Sequence, residues 1–163
     1  MKFFLHIIIF FALCPIPSFS QKPNKTIYDT VFEVGDIVKL PRSISCLGRE
    51  LCSGSESKNI DSIKTTIDFI NRQSNFIFQL QYHTDARGSV KNNLQLSRVR
   101  ARTILRELKP LLKNPLQLTA EGLGESQPIV SQKEIDKIKD IYKKEDLYAI
   151  NRRIVLAVIG KNK

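Results

Sequence analysis

Asp85 and Arg100 are the residues of this chain best placed to do chemistry together. Asp85 closes an apolar stretch, FIFQLQYHTD, and Arg100 lies in the basic segment that follows, with Asn93 and Ser97 between them. A carboxylate and a guanidinium brought to one place either form an internal salt bridge or make opposite walls of a polar pocket, and the residues alone leave both readings open. Other chemistry-bearing types are sparse. His83 is one of two histidines and has no serine nucleophile motif beside it, so neither a metal site nor a catalytic triad is expected. Glu121 and Glu125 form no recognisable acid–base arrangement, so no enzyme activity and no cofactor are expected.

These residues need elements to hold them. In 76–84 (FIFQLQYHT), Phe76, Phe78, Leu80 and Tyr82 alternate with more polar residues, which predicts a strand with one more apolar face. Residues 85–88 form a turn in which Gly88 can supply a positive φ. A helix is expected over 91–113, ended by Asn114-Pro115, with Pro110 able to shorten its last turn. At ~100° per residue, Ala101, Ile104, Leu105, Leu108 and Leu112 form its buried stripe. Arg98, Arg102, Arg106, Lys109 and Lys113 fall on a solvated outer face, whereas Arg100 falls beside Asn93 and Ser97, on the side that leans inward.

Further elements follow from the same periodicities. A strand is expected over 36–47, bent or at an edge because of Pro41. Ile60, Ile63, Ile67 and Ile70 predict an amphipathic helix over 55–72, capped by Ser53, Ser55 or Ser57. Residues 116–120 read as a third strand, followed by GLGESQP as a turn-rich loop. Ile135, Ile138, Ile141 and Tyr142 predict a helix over 133–147, and IVLAVI at 154–159 a last, buried strand. The order β, α, β, α, β, α, β puts helices on one sheet of an α/β (α+β) sandwich, with at least some strands parallel.

The chain has 163 residues, enough for one domain, and 26% charged against 42% apolar residues excludes a disordered chain. Its first twenty residues are different. Lys2 precedes an apolar run from Phe3 to Leu13, too short to span a bilayer, and Ser18-Phe19-Ser20 suits cleavage. Residues 1–20 are therefore read as a secretory signal and 21–32 as a loose lead-in. Lipidation at Cys14 is the rival, disfavoured by Leu13 before it. Export places Cys46 and Cys52 in an oxidising compartment, so a disulfide between them is expected. The net charge of +10 suits an anionic polymer or serves solubility. Export, and arginines without interleaved aromatics, argue against nucleic acid.

HTD at 83–85 with Gly88, then Asn93, Leu96, Ser97, Arg100 and Ala101 in the pattern N-x-x-L-S-x-x-R-A, resembles the OmpA-like C-terminal domain. GLGESQP at 122–128 and Asn151-Arg152-Arg153 before the last strand resemble its later motifs, so the likeness runs over 33–160. The resemblance implies a four-stranded mixed sheet, βαβαβ(α)β. It also implies non-covalent binding of peptidoglycan through the diaminopimelate residue of the stem peptide, whose free end carries an ammonium and a carboxylate. Asp85 would hold the ammonium and Arg100 the carboxylate, with Asn93 adding a hydrogen bond. Arg153 would close the carboxylate side, with Arg152 as the alternative. Thr84, Leu96 and Ser97 would shape the pocket. Such a protein is expected in the periplasm, with an outer-membrane protein as a candidate partner. Two departures from the family pattern, Tyr82 where glycine is usual and Ser45-Cys46-Leu47 at the end of the first strand, support an alternative. That alternative is an exported protein–protein adaptor that keeps the fold without the ligand.

Overall fold

A computed structural model of the chain describes residues 23–41, 44 and 56–162, with side chains from 61 onward in the helix that begins at Glu56. The signal segment, the lipidation candidate Cys14 and the Cys46–Cys52 pair lie outside the described residues. In chain order the elements are β1 (Lys25–Thr26), β2 (Ile37–Lys39), α1 (Glu56–Arg72), β3 (Phe76–His83), α2 (Val90–Leu108), β4 (Leu118–Gly124), α3 (Gln132–Asp136), α4 (Ile141–Asn151) and β5 (Ile154–Lys161). No helix among the described residues is long and apolar enough to cross a membrane.

The sheet has five strands in the order β1-β2-β5-β3-β4, not the four expected. β5 runs down its middle, antiparallel to β2 and β3, while β3 and β4 are parallel and joined through α2. The fifth strand comes from the stretch read as a loose lead-in. Lys25 and Thr26 pair in parallel with Val38 and Lys39. The Asn24 side chain fastens this edge, donating to Asp36 at 2.8 Å and accepting from the Ile37 N–H at 2.8 Å. Ile27 and Phe32 then enter the core, Phe32 edge-on to Phe69 at 5.4 Å. Burial of two large side chains fixes a segment that its polar composition left loose.

Other boundaries move for local reasons. The strand expected over 36–47 ends at Lys39, two residues short of Pro41, whose missing N–H cannot extend a ladder. The long helix stops at Leu108, and Pro110 sits in a short 3-10 turn, Lys109–Leu111. The third strand runs on through Gly122 and Gly124, which the loop reading had excluded. The helix expected over 133–147 is two helices, because two N-caps compete for it. Ser131 and Glu134 close a reciprocal capping box on α3, and Asp140 caps α4 by accepting from the N–H groups of Tyr142 and Lys143. Ile135 is buried, whereas Ile141 and Tyr142, which share its spacing, fall in the first turn of α4 and are exposed.

Of the expected stripe, Ala101, Ile104 and Leu108 on α2 and Leu112 just beyond it join the buried cluster of Phe78, Leu80, Leu118 and Leu156, and Leu105 packs against it partly buried. At Gly122 the backbone of α2 presses directly on β4. A Cβ there would lie 2.0 Å from the Arg98 nitrogen, so only glycine permits this approach. The contact fixes the height of α2 along the sheet, and with it the height of every polar residue in its first three turns.

Candidate functional site

Asp85 follows the end of β3, and its carboxylate is taken by two arginines. Arg87 donates its N–H to Oδ1 at 3.0 Å and its guanidinium to Oδ2 at 2.7 and 3.2 Å. Arg152, just after α4, donates to Oδ2 at 2.6 Å. Both arginines also reach Glu145 on α4, at 2.8 Å from Arg87 and 2.6 Å from Arg152. The four side chains close a ring of alternating charge, with Arg87 stacked 4.5 Å over Tyr148. Burial by itself raises the Asp85 carboxyl, but the bonds from Arg87 and Arg152 outweigh it and hold the group below the usual carboxylate range. The same bonds push both guanidiniums up; for Arg87 the largest cause is Asp85, while for Arg152 they overcome burial.

Arg100 does not pair with Asp85, contrary to one expectation. Its Nη1 donates to the Tyr82 hydroxyl at 3.2 Å, with the guanidinium 5.6 Å from the Tyr82 ring. The reason is axial. Asn93, at the start of α2, touches the Asp85 carbonyl at 3.2 Å. Seven residues further down the helix, Arg100 has moved ~10 Å along the axis. Tyr82 lies three residues back along β3, a similar ~10 Å. The helix folds back beside the strand, so Arg100 is level with Tyr82 and not with Asp85.

A pocket of about 510 Å³ opens where Arg100 and Tyr82 meet Arg152 and Arg153, with Lys39, Leu40 and Pro41 on its far side. Asp85 does not line it, so the carboxylate and the Arg100 guanidinium are not opposite walls of one cavity. Arg152 is the link, since it both lines the cavity and holds Asp85. Tyr82 belongs to the core cluster and also lines the pocket, so packing and narrowing are two faces of one residue.

The remaining expected site residues take up other positions. Asn93 is buried and pins the turn by donating to the carbonyls of Asp85 and Arg87 and to Glu125. Ser97 accepts from the Gly124 N–H at 2.8 Å and donates to the Leu94 carbonyl, stapling α2 to β4. Thr84 is buried, and its N–H reaches the Gly124 carbonyl at 2.9 Å. Leu96 is 40% exposed and lies outside the pocket lining. Arg153 lines the pocket and donates to the carbonyls of Asn151 and Gln127, and burial pushes its guanidinium down to about 10. His83 is buried behind it, with burial first and Arg153 second pushing the imidazole down to about 3. Asn151 opens the N-R-R motif and is a staple, bonding the backbone of Ile129 and Val130.

Sequence reasoning missed Arg87, Glu145 and Lys39. A signal existed for Glu145: residues 145, 148 and 152 follow helical spacing, which puts Glu145, Tyr148 and Arg152 on one side of α4.

A family model described as the OmpA family matches residues 53–141, more than half of the chain. No curated protein matches. Among solved structures, the cell wall anchor of the T6SS from Pseudomonas aeruginosa is 19% identical over 64% of this chain and 68% of its own, with a TM-score of 0.48. The peptidoglycan-associated lipoprotein from Burkholderia pseudomallei is 24% identical over 63% and 78%, also at 0.48. A putative MotB-like protein from Desulfovibrio vulgaris is 22% identical over 68% and 64%, again at 0.48. On the family match, this chain belongs to the OmpA family.

Proposed function

We propose that the protein binds peptidoglycan non-covalently, through the diaminopimelate residue of a stem peptide, and so holds to the cell wall from within the envelope. The observation that supports this most is the basic pocket lined by Tyr82, Arg100, Arg152 and Arg153, with the Asp85 carboxylate directly behind Arg152. Arg100 is half-buried and braced by Tyr82, so its planar fork is held ready for a carboxylate. The ligand ammonium would take Asp85 by displacing Arg152, which keeps Glu145 as a partner while it moves. Arg153 lines the same cavity and would close the carboxylate side.

The test is sedimentation with purified sacculi. The wild-type protein is expected in the pellet, and Asp85→Ala and Arg100→Ala, each shown to be folded, in the supernatant. Equal sedimentation of all three would discard the pocket. One observation favours the adaptor reading instead: two guanidiniums already compensate the Asp85 carboxylate, so an ammonium has to compete with them. Wild type that stays in solution would favour that reading, and release of sugar or peptide fragments would point to a hydrolase.

A further inference from the structure

We propose that the pocket takes a stem-peptide end bearing two carboxylates, and that Lys39 holds the one that Arg100 does not; this rests on the peptidoglycan reading and narrows it. The charged residues lining the cavity are Lys39, Arg100, Arg152 and Arg153, and no Asp or Glu among the described residues lines it. Arg152 is compensated already, because with Arg87 it shares Asp85 and Glu145, two cations on two anions. Lys39 and Arg100 differ. Among the described residues neither lies within ion-pair distance of a carboxylate. Arg100 is fixed against Tyr82, whereas Lys39 ends β2 with its side chain exposed and able to swing over the cavity mouth.

Two like charges facing one cavity repel each other, and a guest with two negative charges relieves both at once. A zwitterionic end satisfies only one of them. The diamino acid that terminates a tripeptide stem has two free carboxylates, separated by a short hydrocarbon chain. Leu40, Pro41 and Ile154 supply an apolar floor for such a chain. In a tetrapeptide the terminal alanine supplies the second carboxylate. The preferred substrate is therefore an uncrosslinked stem with its terminal carboxylate free.

Calorimetry with the synthetic tripeptide L-alanyl-D-isoglutaminyl-diaminopimelate, in which the glutamyl α-carboxylate is already an amide, with its stem-terminal carboxylate free or converted to the primary amide, tests this beside sacculus sedimentation. The free acid is expected to bind about tenfold more tightly than the amide. Lys39→Gln, which removes no buried contact, should bring the ratio close to one, and Lys39→Arg should keep most of it. Equal wild-type affinities, or an unchanged ratio in Lys39→Gln, overturn the dicarboxylate assignment while sedimentation of wild type leaves the parent reading standing. Failure of wild type to bind sacculi and both peptides overturns the two together.

Discussion

On one side of the site, Asp85, Arg87, Glu145 and Arg152 form a closed ring in which every charge has two opposite neighbours. On the other side, Arg100 rests on a tyrosine and Lys39 on nothing acidic among the described residues. The ring is compensated and closed, and the wall is uncompensated and open. Charge balance therefore separates a ring whose charges are satisfied within the fold from a wall whose two cations have no acidic partner among the described residues. The motif places Asp85 and Arg100 as a matched pair, yet in the free protein they do different work.

Acid should attack the two sides through different groups. Behind the wall, His83 has a folded value near 3 against about 6.5 when unfolded. Between those values the unfolded chain binds a proton that the folded chain does not, so stability falls as pH drops from 6.5 toward 3. The loss reaches up to about 3 kcal/mol by pH 4. Asp85 has the opposite history, since its folded value is depressed. Its contribution is intact above the unfolded value near 4 and is lost only as pH falls through the lower folded one. Urea midpoints measured from pH 7 to pH 4 should decline in wild type and flatten in His83→Leu. A decline of the same slope in His83→Leu would show that another group governs it.

Substitution should separate the two sides in stability at neutral pH. Asp85→Ala takes away the buried carboxylate that two arginines share and leaves them only the exposed Glu145. Because both arginines are partly exposed, water offsets much of the loss, and the cost is about 2 kcal/mol. Arg100→Ala removes one hydrogen bond and a tyrosine contact and should cost less than about 1 kcal/mol. Denaturant unfolding of the two variants checks the order. Equal costs would mean that the ring is no more structural than the wall.

How much of this was legible beforehand follows from what each feature depends on. The strand expected over 76–84, which ends one residue earlier at His83, most of the apolar stripe of α2 and the glycine turn at Gly88 depend on period and local backbone, and the sequence shows them. β1 depends on two residues pairing with a strand eleven positions away, which leaves no periodic trace. The split between α3 and α4 was legible in principle, since Ser131, Glu134 and Asp140 are all capping types, but the isoleucine spacing masked it. The choice between Arg152 and Arg153 depends on where α4 ends. Arg152 takes the C-cap position and both lines the pocket and turns to Asp85, while Arg153 leads into β5 and lines the pocket. That Arg100 misses Asp85 depends on α2 running back beside β3, a tertiary fact that helical angle alone does not contain.

Glu145 offers the finest test of the contrast between ring and wall. It is exposed, so Glu145→Gln should change stability little, and added salt should narrow even that difference. Its effect on binding is the informative quantity. If the ligand ammonium reaches Asp85 by displacing Arg152, Glu145 keeps the displaced guanidinium compensated, and its loss makes displacement harder. Sedimentation of Glu145→Gln with sacculi should then weaken by a few-fold, while Arg100 and Lys39 remain in place. Stronger binding would assign the opposite role, with Glu145 clamping the ring shut and its removal freeing Arg152 to join the wall. The sign of this small change thus decides whether the ring is a partner in binding or a barrier to it.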